Sequence, residues 1–250
     1  MFEGTDVNIT SEGRRYLGSV LGTDRFAKKF AEQQVETWVA HVERLAKIAL
    51  TEPHAAYAAF RHSLAGCWTY LGRTTADVGS LFGPLEEAIR LKLIPALTGQ
   101  EAPGDQVRHL LGLPTQLGGL GLPNPARAEA ASYNMSIQVT APFVALIVEH
   151  SKNSLLSALL ETSSARAAMR RRCREEINRM ASEIRDRLPD RLQRCTDLAK
   201  EKGASSWLEA IPIREQGFYL SRTEFRNAVA LRFGWRLENL PSHLCMRSRL

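Results

Sequence analysis

Twelve arginines and lysines crowd the stretch from Ser164 to Gly203 against seven acidic residues, so this stretch carries five of the chain's six net positive charges. Arg166, Arg170, Arg171, Arg172 and Arg174 stand at its centre. On a helix, side chains four apart share a face. Arg170 and Arg174 therefore point together, Arg171 lies close beside them and Arg172 points elsewhere. Guanidinium groups in such a row offer rigid forks of donors to phosphate oxygens. The same row also fits a solvated face tied up in ion pairs with Glu175, Glu176 or Glu183. A further cation, Arg73, follows Trp68 and Tyr70. Aromatic rings beside an arginine make a stacking platform for bases, and rings at helical spacing also fill cores.

Other chemistry needs groupings that this sequence lacks. Two-metal catalysis needs paired aspartates, whereas Asp6, Asp24, Asp77, Asp105, Asp186, Asp190 and Asp197 are all isolated. Glu86-Glu87 and Glu175-Glu176 are adjacent, but neighbouring positions on a helix diverge. There is no His-Glu-x-x-His and no phosphate loop, and Gly119-Leu-Gly121 lacks a third glycine. His243 and Cys245 supply too few groups for a tetrahedral zinc site. The expectation is no catalytic residue, no metal and no other cofactor.

Composition sets the frame for these residues. The chain has 250 residues, 44% hydrophobic and 24% charged, enough apolar material for a sizeable core. No apolar run is long enough to span a bilayer, and the N-terminus lacks the basic and apolar regions of a secretory signal. Cys67, Cys173, Cys195 and Cys245 are scattered without CxxC spacing, which favours reduced thiols inside the cell, in nucleus or cytoplasm.

The elements that must position the cations are mostly helical. Val7–Thr10 and Tyr16–Leu21 are β-prone runs with Ser11–Gly13 as the expected hairpin turn. Thr23 or Asp24 caps a helix to about Leu50, with Lys28 and Lys29 off its apolar face. Helices follow over 54–71 and 78–93, the second interrupted at Gly83-Pro84, then a short one over 106–111. Leu113–Pro125 cannot be helical, since three prolines and three glycines punctuate it, yet its leucines are spaced as in a buried connector. Helices over 126–139 and 141–151 should hinge at Pro142. Beyond Leu155–Leu160, Met169, Cys173, Ile177, Met180, Ile184 and Leu188 form a narrow seam that Leu192, Cys195 and Leu198 continue past Pro189. Such a seam predicts a projecting helical hairpin, or a partner. Trp207–Ile213 and Gly217–Leu220 read as extended, and Ser221-Arg-Thr-Glu224 is a capping box for the last helix. The expected fold is mainly α: a multi-helix bundle with a short N-terminal β-hairpin and a projecting basic helical hairpin. Residues 1–150 are expected to form the hairpin and helical domain with the 113–125 joint, and residues 151–250 the basic hairpin and C-terminal segment.

Leu113-Pro…Leu117-Gly-Gly-Leu-Gly…Asn124-Pro125 resembles a signature that follows the polymerase domain in reverse transcriptases of eukaryotic retrotransposons. Ile9–Gly18, Ala55–Ala59, Trp68–Arg73, Ile94–Gly99, Phe225–Trp235 and Leu240–His243 are similar to further pieces of that family, in the family's order. The resemblance implies the thumb-like and linker helices of such an enzyme, a fragment with the catalytic Tyr-x-Asp-Asp turn upstream of Met1 and the zinc cluster and endonuclease past Leu250. It implies a noncatalytic module binding RNA or an RNA–DNA duplex, with Lys28, Lys29, Arg73, Arg166, Arg170, Arg171 and Arg174 as the contacting cations. The alternative is an all-α scaffold that binds another protein through the 169–198 seam.

Overall fold

The computed structural model describes residues 10–148 and 155–237. Strands β1 (Gly13–Tyr16) and β2 (Ser19–Gly22) pair antiparallel, with Gly13 opposite Gly22 and Tyr16 opposite Ser19. The reversal is therefore made by Leu17-Gly18, not by the expected Ser11–Gly13. Both turn residues have positive φ, 48° and 82°, the two-residue geometry whose twist matches paired strands. Leu17 is held in this strained position because its carbonyl accepts the Tyr70 hydroxyl at 2.8 Å. Val7–Asn8 and Ile9 lie outside the described residues.

Helix α1 (Asp24–Ala49) starts where Thr23 accepts the Phe26 amide on its side chain. It buries Ala31, Val35, Trp38, Val42, Ala46 and Ala49, one stripe at three- and four-residue steps. Pro53 opens α2 (Pro53–Ala59), a π turn covers Phe60–Leu64, and α3 (Ala65–Thr74) continues the rod. Phe60 and Trp68 both point inward, and Trp68 sits edge-on to Trp38 with ring centroids 6.3 Å apart. Next come a 3-10 turn at Gly79–Phe82, α4 (Gly83–Ala88), a π turn at Ile89–Leu93, α5 (Ile94–Thr98) and α6 (Asp105–Gly112).

The joint is buried. Leu113, Leu120 and Leu122 are at most 4% exposed, and a 3-10 turn occupies Thr115–Leu117. Gly118 and Gly121 take φ of 93° and 63°. Gly119 has ordinary φ but no room, because a Cβ there would overlap the carbonyl oxygens of Leu113 and Leu110.

Helix α7 (Pro125–Val148) is continuous through Pro142, one helix where two were expected. A proline inside a helix costs about 3 kcal/mol. Packing of α7 against α3, the 79–82 turn and α8 (Leu155–Asp186) offsets it. The chain reverses at Leu188-Pro189 into α9 (Asp190–Ala199), with Arg185 and Asp197 bonded bidentately across the two arms at 2.8 and 2.6 Å. This is the basic hairpin. Its turn does not project: Leu188 at the reversal and Ala181 one and a half turns before α8 ends enter the main core, and α9 packs on α10 (Arg222–Phe233). Side chains of residues 181–233 share one core with those of 31–122, across the boundary expected near residue 150. Trp207 and Leu208 form a 3-10 turn instead of extended chain, which places Leu208 in that core. The capping box at Ser221 and Glu224 forms as its sequence requires.

His54 joins the two ends of the chain. Its Nδ1 accepts the Leu220 amide at 3.1 Å and its ring stacks on Phe225 at 5.4 Å. Burial lowers its pKa, with the Ala210 backbone pulling it up.

Two predictions follow from these contacts. Gly119→Ala should lower stability by about 1–3 kcal/mol through overpacking. Gly66→Ala, at an open helical site, should raise it by about 0.4–1 kcal/mol. Overlaid thermal melts of Gly119→Ala and parent would show that the loop yields. For His54 the unfolded chain takes up its proton first, so this stabilisation is complete above about pH 6.5 and is lost as pH falls below it. Denaturant midpoints between pH 7.5 and 5 should decline with acid. His54→Asn, which keeps an acceptor for Leu220, should flatten part of that decline. His109 shifts the same way, burial being the main cause, and supplies a residual slope.

Candidate nucleic-acid interface

Four of the seven expected cations meet around one trough of about 870 Å³. Helix α7 forms its floor through Ser132, Met135, Ser136, Val139 and Thr140, spaced three, one, three and one residues apart along a single helical face. Helix α8 supplies one wall, where Arg166, Arg170 and Arg174 alternate with Met169, Cys173 and Ile177, and Asn178 follows. The opposite wall is α3, with Thr69 and Arg73. Pro114, Gln116 and Leu117 of the joint close the trough. Cys173 reaches Met135 at 3.0 Å, so the first half of the expected seam packs on α7. Ile177 and Met180 remain 37% and 44% exposed.

The arginines of the α8 wall are exposed, and among the described residues no ion pair engages Arg166, Arg170, Arg171 or Arg174. Two of the neighbouring acids are occupied elsewhere. Glu176 and Glu183 both face Arg179, at 2.6 and 3.6 Å, which holds the Glu176 carboxyl below its ordinary pKa. Two of the three candidate carboxylates therefore serve a different arginine, and the third, Glu175, makes no ion pair with the row among the described residues.

The remaining candidates fall elsewhere. Arg171 is exposed but does not line the trough. Lys28 and Lys29 are exposed on the first turns of α1, also away from it. Trp68 is 2% exposed and packs on Trp38 and Phe60, so it is a core residue and offers no stacking face. Tyr70 is half-exposed, with its hydroxyl given to the β-turn. His243 and Cys245 lie outside the described residues. Cys67, Cys173 and Cys195 carry free thiols. Among the described residues no cluster of three or more potential metal ligands occurs, and no helix is long and apolar enough to cross a membrane.

Sequence reasoning missed the polar members Gln116, Ser132, Ser136 and Asn178, whose types carry no charge signal. It also missed a second class of arginine, one turned inward. Arg108 is 2% exposed and holds Glu86 through two bonds of 2.6 Å, while its Nη1 donates to the Leu122 carbonyl at 2.8 Å. Arg232 donates to the carbonyls of Thr115 and Gly119 at 2.6 and 3.1 Å, and burial lowers its pKa. Arg61 reaches Glu209 at 2.9 Å. Burial would raise Glu209, but bonds from Thr115 and Arg61 outweigh it and hold the carboxyl below its usual value. Such arginines hold the joint in place and leave the trough to the exposed ones.

No family model, curated protein or solved structure matches the chain.

The division between the two classes can be tested by stability. Gln replacing Arg166, Arg170 or Arg174 should shift the free energy of unfolding by no more than about 0.5 kcal/mol. Arg108→Gln leaves Glu86 without its buried partner and should cost about 3–5 kcal/mol. Denaturant titrations that rank the variants the other way would make the trough arginines structural.

Proposed function

We propose that this chain is a noncatalytic nucleic-acid-binding module, the thumb-like and linker helices of a retroelement reverse transcriptase, and that its contact surface is the α3–α7–α8 trough. The observation that carries the reading is the convergence of Arg73 with Arg166, Arg170 and Arg174, cations from two elements far apart in sequence, on one groove. A merely solvated face does not need cations on facing walls. Neutral donors and acceptors, Gln116, Asn178 and the serines, stand among them, and the mix is that of surfaces that hold a phosphate backbone and touch what hangs from it. The ordered motifs that resemble the retroelement family support the same partner. On this reading the module places nucleic acid and makes no bond itself.

A second reading, a protein-interaction scaffold, draws on a different surface. Val144, Ile147 and Val148 at the end of α7, with Leu155, Leu156 and Leu160 at the start of α8, are 53–70% exposed. An aliphatic tip of this kind is more usual at protein contacts than at nucleic-acid ones.

Salt dependence separates the two. Each phosphate neutralised contributes about 0.9 to the slope of log K against log salt on duplex and about 0.7 on single strands. Replacing Arg73, Arg170 and Arg174 by Gln should flatten the slope by roughly two to three units and weaken unrelated sequences alike. Arg187→Gln with Arg194→Gln, which removes two exposed charges outside the trough, should change it little. Equal losses from both sets would reduce the effect to net charge, and no salt-dependent binding at all would favour the scaffold.

A further inference from the structure

We infer that the trough takes a single-stranded segment, its phosphates along the α8 rim and its bases on the α7 floor, in preference to a duplex. The inference rests on the nucleic-acid reading above and narrows it. Arg166, Arg170 and Arg174 recur at four-residue steps, so each advances about 6 Å along the helix axis. Each step also winds about 40° round the axis, so they form a slanting row on one side of the trough, at a spacing suited to successive phosphates of one strand. Arg73 alone faces them from α3. A duplex presents two backbones separated by a groove, and three cations on one wall against one on the other follow a single strand better than a pair.

The floor is the second observation. Ser132, Met135, Ser136, Val139 and Thr140 carry no charge, so nothing there calls for phosphate. They alternate hydroxyls, which serve phosphate oxygens or base edges, with a thioether and a branched aliphatic, which suit base faces alone. The volume of about 870 Å³ lies within the range of about 300–1,000 Å³ that encloses small ligands. That is room for a few unstacked bases and not for a rod of paired ones, which would rest on the rims and leave the floor unused. Among the described residues no aromatic lines the trough. Base contact then falls to Met135, Met169 and the guanidinium planes, which tolerate any base. Weak sequence preference is the consequence.

Fluorescence anisotropy of the whole chain with labelled twelve-nucleotide probes tests this. The set is single-stranded RNA, single-stranded DNA, an abasic strand of the same length, and the matching duplexes. The single strands should bind at least tenfold tighter than the duplexes, and the abasic strand at least fivefold weaker than its base-bearing counterpart at equal charge. Ser136→Leu, which fills the floor without changing charge, should remove most of the single-strand advantage and leave duplex binding and the salt slope unchanged. The strand comparison needs no variant, so a folding failure of Ser136→Leu leaves the test intact. Duplexes binding as well as single strands, or an abasic strand binding as well as a normal one, would overturn the inference and leave the nucleic-acid reading standing. Poly-glutamate displacing the strand at equal charge concentration would overturn it too, reducing the trough to a general anion rail. No binding of any probe would overturn both.

Discussion

The structure hangs on the carbonyl groups of one buried loop. Residues 113–125 cannot satisfy one another as a helix or strand would, because their prolines and glycines break both patterns. A buried carbonyl without a donor costs about 1–3 kcal/mol, so each must be met from outside or by a turn. Some are met locally: the amides of Leu120 and Leu122 both return to the Leu111 carbonyl, and Gly121 to that of Leu113. The rest fall to side chains from distant parts of the chain. Tyr57 serves Leu120 at 2.7 Å, Arg108 serves Leu122 and Pro123, Arg232 serves Thr115 and Gly119, and Ser205 adds a third bond to Thr115 at 2.8 Å, beside those from Arg232 and the Gly118 amide. Donors from α2, α6, α10 and the segment before the 206–208 turn thus converge on one strip of backbone. Burial pushes the Tyr57 hydroxyl up to about 12, against the pull of Arg61, so it stays a donor throughout the physiological range.

That constraint also sets the trough. Pro114, Gln116 and Leu117 reach the groove from the turn whose Thr115 carbonyl is clamped from behind by Arg232 and Ser205. Where the loop ends, Pro125 starts α7, so the anchored loop also fixes the origin of the trough floor. Helix α8 keeps its place through Cys173 against Met135 of α7 and through Ala181 and Leu188 in the core. The wall with most of the arginines is therefore held at intervals, by apolar side chains alternating with the cations. Rigid backing and a less constrained wall are a usual division where a site must admit a long ligand.

How far all this could be read from sequence depends on which residues carry local rules. The joint was legible because prolines and glycines forbid a helix and leucines forbid exposure. Thr23 and the Ser221–Glu224 box were legible because capping chemistry acts over three residues. The hairpin turn was misplaced because Ser-Glu-Gly is the stronger local signal, whereas Leu17 holds a positive φ only with Tyr70, 53 residues away, binding its carbonyl. The break expected at Pro142 was misread similarly, as packing on both sides keeps one helix across a local penalty.

For the site, the helical face shared by Arg170 and Arg174 follows from spacing alone. Three things do not. Whether an arginine is a surface cation or a buried clamp depends on its neighbours in space. Arg108 and Arg170 look alike in sequence, yet one is 2% exposed with every bond directed inward and the other stands open to solvent. The meeting of Arg73 with the α8 row depends on α7 lying between α3 and α8, which no local pattern encodes. The neutrality of the trough floor is a third case. Ser132, Ser136 and Thr140 signal nothing in a sequence, and they matter only because the charged walls rise on either side of them. A charged floor would make the trough a cage for phosphate alone. An uncharged one beneath an arginine rim separates the place for charge from the place for bases, and that separation is the feature from which a choice between nucleic-acid forms can arise.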